Sequence, residues 1–220
     1  MIELPDFTKT FDYENYFYMT CDNQRIGKLL AHYELYKMAQ NLNGAMVECG
    51  VFKGASLIRF AVFRNLFESD FSKKIIAFDS FAEFPHTNFQ PDVKMRIDFV
   101  EECGDQSTSS EQLMEVLKYK GCEKNVEMIE GDITQTIPEY IEKNPQLKIS
   151  LLNLDVDLYE PSVTVLEYLY PRLEKGGVLI LDDYGVFTGE TKAVDDYFKD
   201  TSVNIKKFPY TPTPSFLIKE

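Results

Sequence analysis

The chain has 220 residues, 44% of them hydrophobic and 17 of them Phe, enough apolar side chain to fill one sizeable core and too much for a disordered chain. Its formal net charge of −13 argues against a protein that follows a nucleic-acid backbone, because such binding draws on clustered Lys and Arg. Four cysteines without C-x-x-C spacing, no charged start feeding an apolar leader, and no apolar run near the roughly 20 residues of a membrane span point to a cytoplasmic protein with reduced thiols.

Residues 1–20, MIELPDFTKTFDYENYFYMT, are aromatic and acidic without periodicity and read as an arm packed over the domain. From Asp22 to Leu42, Ile26, Leu29, Leu30, Tyr33, Tyr36 and Met38 recur at helical spacing, with Asp22 as N-cap. AMVECG (45–50) then reads as a buried strand and GASLIRFAVFRNLF (54–67) as a helix. The alternation continues with a strand at 74–81, helix 109–121, strand 125–132, helix 137–144, strand 147–155, helix 162–177, strand 178–184 and helix 190–200. Two last strand candidates, 204–208 and 215–220, are close enough to form an antiparallel hairpin. The pattern predicts an α/β fold, a mostly parallel seven-stranded sheet with helices on both faces, as a single domain over 1–220. Within it, 1–44 is an arm and helix and 45–220 the core. Residues 82–108 carry no clear element, and an unassigned stretch of that length reads as a functional or mobile loop.

Ligands of doubly wound sheets bind beyond the carboxyl ends of the strands. Those ends carry Glu48, Asp79, Asp132, Asp155 with Asp157, and Asp182 with Asp183. The first turn, VECGVFKGAS, has Gly50 and Gly54 four apart, a spacing that matches neither the dinucleotide nor the nucleoside triphosphate loop. Asp79 can accept both hydroxyls of a ribose, Asp132 can accept from an adenine amino group, and Ile133 can cover the ring. An adenosine ligand without phosphates follows, and S-adenosylmethionine fits because its cationic groups tolerate an acidic rim that would repel polyphosphates.

Asp155 and Asp182 are 27 residues apart, room for one helix and return, so they end neighbouring parallel strands about 5 Å apart. With Asp183 they form three carboxylates that raise each other's pKa unless a cation joins them. An all-oxygen set favours Mg²⁺, with Mn²⁺ and Ca²⁺ as alternatives. Asp157 stands two residues on, where it can help Asp155 take a proton from an attacking hydroxyl.

Four blocks, VECGVFKGAS, AFDSFAEFP, LNLDVDLYEPSVTVLEYLYPRLEKGGVLILDDYG and TKAVDDYF, together resemble the macrocin O-methyltransferase (TylF/MycF) family over roughly residues 45–200. The resemblance implies a Rossmann-like class I methyltransferase fold and an S-adenosylmethionine- and Mg²⁺-dependent sugar O-methyltransferase. It puts Glu48, Gly50, Asp79 and Asp132 at the donor, with Val51, Phe52, Gly54, Ser56, Ser80, Gly131, Ile133 and Asp155 as further candidates in the same turns. It matches Asp155, Asp182 and Asp183 to the metal ligands, makes the Asp155–Asp157 region the base, and makes 82–108 the acceptor lid. A small-molecule sugar acceptor, no nucleic acid, no membrane and an optional homo-oligomer complete the expectation. A catechol-like acceptor, or a domain that binds the donor without transfer, are the alternatives. Among weaker features, His86 reads as a solvated loop histidine, His32 as structural, Lys53 as a surface residue or carboxylate partner, Asp195 and Asp196 as solvated, and Met19 and Thr20 as a cover over the donor.

Overall fold

A computed structural model describes residues 2–220. In chain order it contains α1 (Thr10–Thr20), α2 (Asn23–Ala39), β1 (Ala45–Cys49), α3 (Ala55–Phe67), β2 (Ile75–Asp79), α4 (Gln90–Cys103), α5 (Ser110–Tyr119) and β3 (Val126–Glu130). There follow α6 (Ile133–Lys143), β4 (Ile149–Leu154), α7 (Tyr159–Tyr168), a 3₁₀ turn (Tyr170–Arg172), β5 (Leu173–Leu181), α8 (Thr188–Phe198), β6 (Lys206–Lys207) and β7 (Ser215–Ile218). The seven strands lie in the order β3-β2-β1-β4-β5-β7-β6. The first five are parallel, and β7 runs antiparallel to β5 and β6.

Alternation along the strands divides the core into two layers. Val47, Cys49, Ile76, Phe78, Leu152, Leu154, Leu179 and Leu181 face α6, α7 and α8. Met46, Ile75, Ala77, Leu151, Val178 and Ile180 face α2, α3 and α5. Each large apolar side chain buried this way contributes about 1.5–3 kcal/mol, so the centre of the sheet is a rigid base for whatever its strand ends carry. No helix among the described residues is long and apolar enough to cross a membrane.

Four departures from the sequence reading exceed a shift of a few residues at an element's end. The arm contains α1, none of whose residues is buried, so no apolar stripe announced it. The unassigned 82–108 stretch contains α4, with Pro91 at its start and one buried residue, Asp92. Helix α6 begins at Ile133 rather than 137 because the Asp132 side chain caps it, accepting from Thr134 N at 2.9 Å, and Pro138 falls inside. Helix α7 stops at Tyr168 ahead of Pro171, and the residues from Leu173 already pair with β4.

Candidate active site

The turn from β1 to α3 is shaped by two glycines. Gly50 has φ +86°, and a Cβ there would lie 1.6 Å from the Asp155 carbonyl oxygen, so only glycine lets the end of β4 run alongside. Asp155 N–H donates to the Cys49 carbonyl at 2.9 Å. Gly54, at φ +81°, opens α3, and a Cβ there would meet Leu113 at 2.3 Å. The Asp79 carboxylate fastens the turn from β2: Oδ2 accepts from Val51 N (2.6 Å) and Phe52 N (3.0 Å), and Oδ1 from Phe81 N (2.7 Å) and the Ser80 hydroxyl (3.4 Å). Three backbone amides therefore hold this carboxylate, while the one Ser80 proton is shared with the Glu83 carbonyl at 3.2 Å and leaves room at Oδ1. Glu48 is buried behind the turn, where Ser56 Oγ donates to Oε1 at 2.6 Å and Oε2 has no partner. Burial pushes its carboxyl up to about 8.

At the next strand end, Gly131 N–H donates to the Asp79 carbonyl at 3.0 Å. Asp132, exposed at the start of α6, holds Thr134 through both its amide and its hydroxyl (2.9 and 2.7 Å). Ile133 is buried beside it.

The pairing Leu154↔Leu181 explains the acid site, since the residues that follow, Asp155 and Asp182, leave adjacent strands side by side. One carboxylate oxygen from each of Asp155, Asp182 and Asp183 lies within 4.8 Å of the others. Burial and then the Asp182 charge push the Asp155 carboxyl well up, and burial and then Asp157 do the same for Asp183. Burial pushes Asp182 up too, but the Lys28 ammonium and the His32 ring outweigh it and hold that carboxyl below the usual range. Lys28 of α2 donates to Asp182 Oδ2, and His32 Nε2 stands 3.8 Å from Asp182 Oδ1, which has no hydrogen-bond partner.

Asp157 is buried in the left-handed region at φ +61°, a conformation that aspartate tolerates better than most residues. Burial followed by the Asp155 charge pushes its carboxyl up to about 7, while the neighbouring Asp183 acts the other way. Glu190 of α8 is fully buried behind these acids: Oε1 accepts from Asp183 N (3.0 Å) and its own N–H donates to the Asp157 carbonyl (3.0 Å).

These elements border one cleft of about 1090 Å³, larger than a drug-sized pocket and spacious enough for two small ligands side by side. Gly50, Val51, Phe52, Ser56, Asp79, Ser80, Gly131, Asp132 and Ile133 line one part of it, and Asp155, Asp157, Asp182 and Asp183 another. Phe84, Pro85, His86 and Phe99 form the wall contributed by the 82–108 stretch. Of the remaining sequence candidates, His32 stacks on Phe60 at 5.1 Å and Lys53 donates to the Cys103 carbonyl at 2.6 Å. Asp195 and Asp196 pair at the surface with Tyr184 and Lys192, while Met19 and Thr20 sit exposed on α1 with the cleft lining beginning at Asp22. Sequence reasoning missed Lys28, Glu190 and Arg59, the last a cleft-lining cation of α3 in the field of Asp182, Glu48 and Asp155. The available signal was weak: a charged residue on a helix is solvated by default.

The 4'-O-methyltransferase of Streptomyces olivaceus that acts on 8-demethyl-8-(2,3-dimethoxy-alpha-L-rhamnosyl)-tetracenomycin C is 32% identical over 165 residues, 73% of this chain and 60% of the relative. Mycinamicin III 3''-O-methyltransferase of Micromonospora griseorubida is 27% identical over 145 residues, 64% of this chain and 55% of the relative. The chain thus spans only 55–60% of the length of these curated relatives. Among solved structures, the calicheamicin methyltransferase CalS11 superposes with a TM-score of 0.78 at 28% identity, covering 95% of this chain and 85% of that one. The O-methyltransferase NovP has the same fold, with a TM-score of 0.72 at 22% identity over 89% of this chain and 79% of its own. The model of the macrocin O-methyltransferase (TylF) family matches residues 9–207, nearly the whole chain, and the chain belongs to that family.

Proposed function

We propose that the chain is an S-adenosylmethionine- and divalent-metal-dependent O-methyltransferase whose acceptor is a hydroxyl of a sugar. The observation that carries the reading is the meeting, in one cleft, of the Gly50 turn with three carboxylates delivered by adjacent strand ends. The sugar hydroxyl as acceptor class is supported by the relatives, whose names describe methylation of a rhamnosyl-bearing tetracenomycin and of a mycinamicin.

The residues present fit both groups. On the donor side, the Gly50 turn packs directly on the Asp155 backbone, and Val51, Phe52, Ser80, Gly131, Asp132 and Ile133 line the cleft beside it. Gly54 and Asp79 hold the turn in shape, and Glu48 with Ser56 forms its polar back, where Glu48 Oε2 still lacks a partner. On the acid side, Asp155, Asp182 and Asp183 are the oxygen set for a hard divalent ion, and Asp182 Oδ1 is a buried acceptor without a donor. The charges also match: Lys28 offsets one of three carboxylates, which leaves two negative charges for Mg²⁺, Mn²⁺ or Ca²⁺. When bound, such an ion lowers the pKa of a coordinated hydroxyl and fixes its line of attack.

The chain's own part is orientation and proton transfer. Asp155 adjoins the donor turn through its backbone and the acid trio through its side chain, so its carboxylate stands between the two ligands. With the donor bound, an attacking hydroxyl would form its C–O bond to the methyl carbon as the S–C bond broke, and Asp155 or Asp157 would take its proton. Lys28 and Glu190 hold the acids in place from either side, and Phe84, Pro85 and Phe99 cover the acceptor from water. The reaction belongs to a protein of the cytoplasm.

The test is methyl transfer to a panel of sugar acceptors, nucleotide-linked and glycosidic, with catechols included. Activity should vanish in EDTA and return with Mg²⁺, and Asp155→Ala and Asp182→Ala should lose it. Full activity in all these conditions would sink the reading.

A further inference from the structure

We propose that Asp92, on the helix of the covering stretch, is a positioning residue: it holds the starts of α7 and α8 against each other and thereby sets the spacing of the two acid-bearing loops. The inference rests on the site reading above only for what those acids bind.

Asp92 is the one buried residue of α4, with no exposed surface. Its Oδ2 accepts from Tyr159 N at 3.0 Å and lies against the backbone of Gly189. Both residues stand in the first turns of helices, α7 and α8, whose positive dipole ends favour a carboxylate. A Cβ on Gly189 would lie 1.9 Å from the same Asp92 oxygen, so glycine is what admits it. Tyr159 comes two residues after Asp157. Gly189 precedes Glu190, whose N–H reaches the Asp157 carbonyl and whose carboxylate takes the Asp183 N–H, each at 3.0 Å. A chain of direct contacts therefore runs from α4 to an acid of each loop.

The neighbours of Asp92 fasten the stretch at the same joint. Glu160 accepts from the Thr87 hydroxyl (3.0 Å) and from Asn88 N (3.1 Å), and Phe89 stacks on Tyr159 at 4.8 Å. A joint made only for stability would favour apolar side chains, because Asp92 Oδ1 is buried with no partner at all. What the carboxylate adds is a fixed distance between two backbones.

The experiment compares Asp92→Ala, Asp92→Asn and Gly189→Ala with the parent chain by hydrogen exchange without ligands, and by titration with Mn²⁺ and separately with S-adenosylhomocysteine. Asparagine keeps the volume and an acceptor oxygen for the Tyr159 amide and should behave like the parent within threefold. Asp92→Ala and Gly189→Ala should speed exchange at the Asp183 and Glu190 amides but not at the β1–α3 turn. They should weaken Mn²⁺ binding about 10–100-fold, the range seen when support behind metal ligands is removed, and change S-adenosylhomocysteine binding less than threefold. Unchanged exchange at the two amides, exchange raised uniformly over the sheet, or an asparagine variant as impaired as alanine would overturn the proposal. Because a Cβ on Gly189 would also lie 2.5 Å from Tyr159 N, Gly189→Ala alone does not isolate the carboxylate; should Asp92→Ala fail to fold, Asp92→Leu, which keeps the volume and removes the acceptor, read against Asp92→Asn decides the same question. If the parent chain bound neither Mn²⁺ nor S-adenosylhomocysteine, the site reading would fall, while the exchange data would still judge Asp92.

Discussion

The two halves of the cleft are built on opposite principles. On the donor side, at the ends of β1 and β2, backbone geometry does the work: Gly50 abuts β4, and both Asp79 oxygens accept from backbone amides of neighbouring turns. On the acid side, at the ends of β4 and β5, carboxylates crowd together, and Asp182 Oδ1 and Glu190 Oε2 are buried without a partner. The first half is held in shape by its own backbone, with Glu48 Oε2 its one unpartnered acid oxygen. The second carries unbalanced charge, so its stability and its geometry are tied to what binds there.

That contrast can be broken most severely at the point where the halves touch. Gly50→Ala drives a Cβ into the Asp155 carbonyl and strains a positive φ, so it should cost about 2–5 kcal/mol of stability and abolish binding to both halves. A thermal melt with separate donor and Mn²⁺ titrations would read it. Asp182→Ala should act on one half only, reducing turnover about 100-fold or more while S-adenosylhomocysteine affinity stays within threefold. A comparable loss of donor affinity would dissolve the distinction. Mg²⁺ at about 100 times its Kd should stabilise the parent chain by about 2.7 kcal/mol, a rise in Tm of roughly 5–10 °C, and should leave Asp182→Ala unmoved.

The smallest effect concerns Glu48, the one unsatisfied acid of the donor half. Its folded carboxyl keeps a proton up to about pH 8, whereas the unfolded chain releases it near the ordinary 4.5. The stability contributed by this neutral carboxyl is whole below pH 4.5 and fades as pH rises toward 8. Glu48→Gln should therefore match the parent in Tm near pH 4 and exceed it near pH 8.5, with the gap opening as pH rises. Parallel Tm curves across that range would refute the assignment.

The same contrast governs how much was legible in the sequence. The β4–β5 acids could be read because strand, helix and return leave a countable spacing, and the pairing Leu154↔Leu181 turns that spacing into contact. The turn at Gly50 could be read because glycine has few other reasons to sit between a strand and a helix. Helices α1 and α4 could not, since α1 buries nothing and α4 buries only Asp92, so neither carries the apolar stripe on which periodicity depends. Lys28, Asp92 and Glu190 escaped for a related reason. Each is a charged residue on a helix, and only the tertiary arrangement reveals that its partner is an acid-bearing strand end or a helix start rather than water.

An anomalous difference map from crystals soaked in Mn²⁺ and S-adenosylhomocysteine tests the central claim most directly. The account predicts a single strong peak within coordination distance of Asp155, Asp182 and Asp183, with the homocysteine in the Gly50 half of the cleft. A map with no peak among these three carboxylates, and Lys28 alone balancing Asp182, would contradict it.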